Sequence, residues 1–410
     1  MLLYIDPGTG SMLFSILIGI VGTLVFFLQK IIIKIKFVIS GGKIKQLSSS
    51  KIPCVIFSDH KRYWNIFKPI CDEFEHRKTP VVCWTASPDD PALSEPYFYV
   101  KTEFIGSGNK AYARLNMMNA HILLATTPNL QIFQWKRSKN VDKYVHIPHS
   151  VDDLMIYRMF GLDFYDAVLL SGEFQKKNIR ALEQKRHAKE KELVVVGCPY
   201  MDALAKRVKT LSRRACEQQV QGDGVLHVLL APSWGEKAIF ATFGEEIIEA
   251  LLATGFDITV RPHPQSFISE KHIIEPLQKK YPGSEHLHWN RDNDNFDVLV
   301  TSDILITDFS AIMIEYSLVF DKPFIYADTS FNPAPYDAAW IKEPVWQLRR
   351  LPELGVPLEK KDFPNLRHLI EKTIASTEFR ENRIRISEEA WQNKGKAAAA
   401  VVDYLTKGGE

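Results

Sequence analysis

Three short segments place chemistry-bearing side chains just beyond apolar runs. In the first, Asp308, Phe309 and Ser310 follow Ile304-Leu305-Ile306-Thr307, and the apolar stretch from Ala311 to Phe320 has helical length. A buried-type strand, a polar turn and a helix make an anion site, because the first N–H groups of a helix are unpaired and carry partial positive charge. A phosphate beside Ser310, the expected helix cap, with Ala311 in the first turn, would be stabilised there. Glu315 lies beyond the capping-box position, which Met313 occupies. Its helical neighbours Ala311, Ile312, Leu318 and Val319 are apolar, so the carboxylate interrupts an apolar face and needs a partner. At about 1.5 Å of rise per residue it sits roughly 7–8 Å from the cap, a reach suited to ribose hydroxyls while phosphates occupy the turn. The plainer alternative is a simple cap and a carboxylate paired with a structural Arg or Lys.

The second segment runs from Phe256-Asp257-Ile258-Thr259-Val260 into Arg261-Pro262-His263-Pro264, where two prolines end a strand and restrict the backbone around one imidazole. The third, Tyr144-Val145-His146-Ile147-Pro148, ends in His149-Ser150. In open α/β sheets ligands bind outside the carboxyl ends of strands, so two strand-end histidines, one in each half of the chain, can meet across a cleft. His149 is the better general-base candidate, since alternation leaves His146 on a sheet face. Asp152 or Asp153 is expected to orient it.

The elements that must carry these residues alternate. Strands are expected at Cys54–Ser58, Val81–Thr85, Ile122–Ala125, Tyr144–Pro148, Ala167–Leu170 and Leu193–Val196, and again at Val225–Ala231, Asp257–Arg261, Ile304–Thr307 and Pro323–Tyr326, with helical segments between them. That alternation implies parallel sheets. A charged segment from Arg213 to Asp223 separates the two groups, so the expected fold is α/β, two Rossmann-like domains with a cleft between them, at 52–212 and 213–375, followed by helices over 376–410.

With 46% hydrophobic and 24% charged residues and a net charge of +2, the composition is that of an ordinary globular chain, without a nucleic-acid footprint. The five cysteines are odd in number and lack CxxC spacing, which argues for reduced thiols. The N-terminus departs from this pattern. Met12 to Leu28 is almost wholly apolar, and lysines 30, 34, 36, 43 and 45 follow it. This predicts a membrane anchor over residues 1–40, with a transmembrane helix at about 12–33 and a linker at 41–51, placing the remainder on the cytoplasmic side. Asp6-Pro7-Gly8-Thr9-Gly10-Ser11 lacks the strand and the Gly-Lys-Ser/Thr ending of a phosphate loop and reads as a turn. Gly106-Ser107-Gly108-Asn109-Lys110-Ala111 reads as a glycine turn before a helix, because the acidic residue of a dinucleotide site is missing from 125–131. Asp292-Asn293-Asp294 resembles a metal-binding DxD, with a solvated loop as the competing reading.

Taken together these residues resemble the bacterial CDP-glycerol glycerophosphotransferase family, whose members build or prime teichoic-acid-like polymers. The likeness rests on Ala231-Pro232-Ser233-Trp234, Arg261-Pro262-His263-Pro264, Ser302 to Ser310, Glu315, Lys322-Pro323-Phe324-Ile325-Tyr326 and the turn Gly197-Cys198-Pro199-Tyr200-Met201-Asp202. It implies a GT-B fold, a CDP-activated donor, a lipid-linked acceptor, no obligatory metal or other cofactor, and a histidine from each domain at the reaction centre. Those histidines are His149 and His263. The expected donor contacts are Arg261, Ser233, Trp234, Asp308, Ser310, Ala311 and Glu315. Two departures touch acceptor and phosphate contacts: Pro148-His149-Ser150 stands where the family has Trp-His-Gly, and Gly235 replaces a frequent arginine. A sugar-nucleotide GT-B glycosyltransferase or epimerase-like enzyme would share the Ser310–Glu315 site. A non-catalytic nucleotide-binding assembly protein is the reading outside enzymology.

Overall fold

The computed structural model describes residues 51–218, 225–292, 294–327 and 331–407, the side chains of 212–218 excepted. The anchor and transmembrane helix expected at 1–40 and the Asp6–Ser11 turn lie outside the described residues, as does the linker up to Ser50. Among the described residues no helix is long and apolar enough to cross a membrane.

Strands β1 (Ile52–Ser58), β2 (Val81–Thr85), β3 (Val100–Phe104), β4 (Ala120–Ala125), β5 (Val141–His146), β6 (Ala167–Leu170) and β7 (Glu192–Val195) form one sheet in the order β3-β2-β1-β4-β5-β6-β7. Strands β8 (His227–Leu230), β9 (Asp257–Val260), β10 (Leu287–Trp289), β11 (Ile304–Thr307), β12 (Phe324–Ala327) and β13 (Gly355–Leu358) form a second, β10-β9-β8-β11-β12-β13. The pairings in both sheets are parallel. Both are doubly wound, the pattern of a GT-B-like pair of α/β halves. In each, the strand order reverses next to the first strand, between β1 and β4 and between β8 and β11, and the crevice above such a reversal is where ligands bind.

The central strands are buried on both faces, and for that reason β6, β11 and β12 read as largely apolar runs. Val55, Phe57, Leu123 and Val168 pack on one side of the first sheet, and Ile56, Leu124, Val145 and Leu169 on the other. Val228, Ile258, Ile304 and Ile306 fill one side of the second, Leu229, Leu305, Phe324 and Tyr326 its opposite side. The strands outside the expected set explain themselves. β3 precedes the Gly106 turn, β10 has three residues, and β13 is an edge strand carrying Pro357, a residue that weakens a strand signal.

The final helix, Ala397–Lys407, returns to the first sheet, where Val401, Val402 and Leu405 join the apolar layer of Phe67, Ile70 and Phe74. The Gly197–Asp202 turn anchors that return. Asp202 accepts hydrogen bonds from Trp391 Nε1 at 2.9 Å and from the Ala397 N–H at 3.0 Å. Gly197 has φ of +93° and lies so near the Gln392 carbonyl that a Cβ would overlap it. Cys54, Cys71, Cys83 and Cys198 are buried and free.

Candidate active site

One cleft above the two reversals is lined by His149, His263, Arg261, Ser310, Ala311 and Glu315, so six of the expected site residues, spread over the two halves, are brought together. Each arrives by a local rule. Where β5 ends, His146 points into the core with its Nε2 at 3.0 Å from the Tyr157 hydroxyl, its ring set edge-on to Tyr157 and Tyr165. Burial pushes this imidazole down to about 3. Three residues on, past Pro148, the chain has left the sheet, and His149 emerges half-buried in the cleft, edge-on to the Tyr63 ring at 5.5 Å. Burial, reinforced by the positive charge of Arg62, lowers His149 to about 4. The ring is therefore neutral at physiological pH and able to accept a proton.

The expected orienting carboxylate is not present. Asp153 spends its oxygens on the Met155 N–H at 3.1 Å, the Trp346 N–H at 2.9 Å and Asn178 Nδ2 at 2.9 Å. Asp152 takes the Ser150 hydroxyl, and its Oδ1 is buried without a partner. Neither is hydrogen-bonded to His149. The ring packs instead against the Tyr63 edge.

Across the cleft, beyond β9, the Pro262–Pro264 bracket folds so that His263 Nδ1 accepts the Gln265 N–H at 3.1 Å. Nδ1 is thus unprotonated, and the neutral ring carries its hydrogen on Nε2, which makes His263 a hydrogen-bond donor toward the cleft. Burial, then Arg62, His149 and Arg261, lowers its pKa to about 4, so it stays neutral. Trp234, expected as a donor contact, lies outside the cleft lining and stacks on His263 at 6.3 Å with an interplanar angle of 29°. It buttresses the imidazole. Arg261 binds Asn290 Oδ1 and the Asp292 carbonyl, at 2.8 Å for the latter. Both acceptors are neutral groups, so its charge remains available to an anion.

Asp308 and Ser233 require correction. The Asp308 carboxylate is fully buried and accepts the N–H groups of Ser233 at 2.8 Å, Ile239 at 3.1 Å and Ser310 at 3.2 Å. It cannot also hold a ligand. It ties the Ala231–Trp234 segment to the turn after β11, with burial pushing it up to about 6. Ser233 contributes its backbone N–H to that tie and does not line the cleft. The helix is also shorter than the expected Ala311–Phe320: it spans Ile312–Leu318, with Ala311 as its N-cap and no side-chain cap bond, so Ser310 is a cleft residue and not a cap.

Glu315 is buried, and its partner is neither Arg nor Lys. Its Oε2 accepts from Asn295 Nδ2 at 3.1 Å and from the Tyr200 hydroxyl at 3.3 Å, and that hydroxyl also reaches Asn295 Oδ1 at 3.1 Å. Burial raises the carboxyl from its ordinary 4.5 to about 7. An acid raised by folding gives stability that is fully present below its unfolded value and is lost as pH rises through the folded value. Glu315→Gln keeps an acceptor for Tyr200 and Asn295 without the buried charge. It should raise the unfolding free energy from urea titration at pH 8 by on the order of 2 kcal/mol, with a higher midpoint, and leave both unchanged near pH 4. An unchanged midpoint at pH 8 would show that the carboxylate carries no burial penalty.

Sequence reasoning missed Tyr200, Asn295, Arg62 and Tyr63, all of which line the cleft. Tyr200 had a signal, its place inside the Gly197–Asp202 turn. Arg62 and Tyr63 follow the end of β1, the strand at the reversal of the first sheet. Among the described residues no group of three or more His, Cys, Asp or Glu side chains is placed to hold a metal ion. Of the DxD segment, Asp294 pairs with Arg207 at 2.6 Å and Asp292 with Asn290 at 2.7 Å, while Asn293 is outside the described residues. The Gly106–Gly108 turn opens the helix Asn109–Asn116, as expected.

Residues 157–336 match the family model described as CDP-Glycerol:Poly(glycerophosphate) glycerophosphotransferase. Over that segment, somewhat under half of its length, the chain is similar to this family of enzymes. The family segment contains the second reversal and the Gly197–Asp202 turn, whereas His149, Arg62 and Tyr63 lie before it. The fold is similar over most of the chain to the wall teichoic acid polymerase TagF, with TM-score 0.59 and 16% identity, covering 93% of this chain and 98% of that one. It is similar as well to the UDP-GlcNAc 2-epimerase of Neisseria meningitidis, with TM-score 0.53, 15% identity and coverage of 86% and 99%. The UDP-GlcNAc 2-epimerase of Methanocaldococcus jannaschii gives TM-score 0.54 at 13% identity, with coverage of 86% and 99%. At these identities the likeness is one of fold. Comparison with curated proteins gave no match.

Proposed function

We propose that the enzyme moves glycerol phosphate, or another polyol phosphate, from a CDP-activated donor to a hydroxyl of a lipid-linked acceptor. The observation that carries this reading is the pair of neutral imidazoles facing one cleft, one from each half, with complementary hydrogen-bonding roles. His149 accepts the proton of the acceptor hydroxyl as its oxygen attacks the donor's glycerol-bearing phosphorus. The bond from that phosphorus to the bridging oxygen breaks, and CMP leaves with the electron pair. His263 donates from Nε2 to the phosphoryl oxygens, and Arg261 with the backbone at Ser310 and Ala311 counters their charge. Glu315, beside Tyr200 and Asn295, accepts hydrogen bonds from the ribose hydroxyls. An obligatory metal is not part of this reading.

A pKa near 4 is low for a base, but the bound pyrophosphate supplies the correction. Two negative charges beside His149 favour its protonated form and move the group toward neutrality during turnover.

The cytidine and polyol assignments are tested by affinity. The full chain in detergent should bind CDP-glycerol and CMP more tightly than UDP-GlcNAc and UDP. The reverse order would replace the reading with the sugar-nucleotide one, and binding without turnover of any donor would favour an assembly protein. We place the enzyme on the cytoplasmic side of the cell membrane, held by the apolar run Met12–Leu28 and the lysines after it. Deleting residues 1–40 should release the protein from membranes and leave nucleotide affinity intact, with activity falling chiefly toward lipid-embedded acceptor. Full activity on membranes after release would refute the anchor.

A further inference from the structure

Arg62 stands in the turn between β1 and the helix Trp64–His76, at the reversal of the first sheet, and it lines the same cleft as His149, His263 and Arg261. Its backbone is held on both sides. The Arg62 N–H donates to His60 Nδ1 at 3.2 Å, and the Lys61 N–H donates to Ser87 Oγ at 3.1 Å. The two adjacent cations then part company. Lys61 is neutralised by Asp89. Arg62 makes no ion pair among the described residues, although its charge acts on the buried Asp59, and its guanidinium lies over the Tyr63 ring at 4.8 Å.

In this it resembles Arg261 of the same cleft, whose hydrogen-bond acceptors are neutral, and differs from arginines elsewhere. Arg77, Arg114, Arg137, Arg350 and Arg383 each pair with a carboxylate. A guanidinium held against the neighbouring tyrosine, on a braced turn and in no ion pair among the described residues, is arranged to meet a planar or tetrahedral oxyanion. Its field already reaches both imidazoles, since Arg62 is among the charges that lower His149 and His263.

We propose that Arg62 is a donor-binding catalytic residue, which grips the pyrophosphate from the first half while Arg261 grips it from the second. This rests on reading the cleft as a nucleoside diphosphate site. It also gives binding a means of drawing the two halves onto one ligand, because the anion is shared between cations from both sheets. The Tyr63 ring, touching Arg62 on one side and His149 on the other, couples the phosphate grip to the position of the base.

The test compares wild type with Arg62→Gln and Arg62→Lys, using cytidine, CDP-glycerol and inorganic pyrophosphate as probes. Loss of charge-assisted hydrogen bonds to a phosphate should weaken CDP-glycerol and pyrophosphate binding by about 10-fold or more in Arg62→Gln. Cytidine, which has no phosphate, should bind both proteins alike. Lysine should restore part of the loss, since it keeps the charge without the fork. Equal affinity of wild type and Arg62→Gln for CDP-glycerol and pyrophosphate would overturn the proposal. Should wild type bind pyrophosphate and not CDP-glycerol, the donor assignment fails, and the pyrophosphate comparison alone then decides for or against Arg62.

Discussion

His149→Ala should lower turnover of CDP-glycerol by about 100-fold or more while the protein stays folded. The side chain is half-buried and touches the Tyr63 edge without entering the core, so its loss leaves no cavity in either sheet. His263→Ala should cost a comparable factor for a different reason, the loss of an Nε2–H donor to the phosphoryl oxygens. The two are separable. Asparagine at 263 can mimic the acceptor toward Gln265 and also a donor toward the cleft, so His263→Asn should retain more activity than His263→Ala, whereas no such rescue is expected for His149→Asn. The pH profile adds a sign. With His149 lowered to about 4, kcat/KM should not fall from this group until pH approaches that value. The donor's charge raises the base in the complex, so the acid limb of kcat should lie at higher pH than that of kcat/KM. A near-normal rate for His149→Ala removes it from the mechanism.

The largest structural effect is expected in the turn that also carries Tyr200 into the cleft. Gly197→Ala forces a side chain onto a backbone at φ of +93° and against the Gln392 carbonyl and the Ala397 methyl. The backbone conformation costs about 1–2 kcal/mol and the overpacking about 1–3 kcal/mol, so a loss of roughly 3 kcal/mol in urea unfolding is expected. The same change should undock the returning helix Ala397–Lys407, since its start is held by Asp202 of the same turn. Amide exchange in that helix should accelerate more than in β11. Unaltered stability would mean that the turn is not what fastens the C-terminal segment.

The parts of this site legible in sequence are those that local rules position. Pro262 and Pro264 announce a presented imidazole whatever surrounds them, and Glu315 is conspicuous because every helical neighbour is apolar. Asp308 shows where local reading stops. A carboxylate in a turn after a buried strand looks like a ligand until three backbone N–H groups, two of them from a distant segment, are found to consume it. Ser233 and Trp234 were legible as members of the site's vicinity but not in their roles, one a backbone tie and the other a ring behind His263. Arg62 and Asn295 were not read at all, and Tyr200 was read only as part of its turn. They reach the cleft only because the two sheets meet above their reversals, and nothing near them in the chain records that meeting. The fold was more readable than the site because burial on both faces writes itself into each strand, whereas the short β10 and the proline-bearing edge strand β13 carry too little of that signal.

The most direct measurement of the central claim is product identification with full-length enzyme in membranes, supplied separately with CDP-glycerol and with UDP-GlcNAc. The account predicts release of CMP, together with a new glycerol phosphodiester on lipid-extractable acceptor, from the first donor and no turnover of the second. Release of UDP, or epimerisation of the sugar, with CDP-glycerol left intact would contradict it.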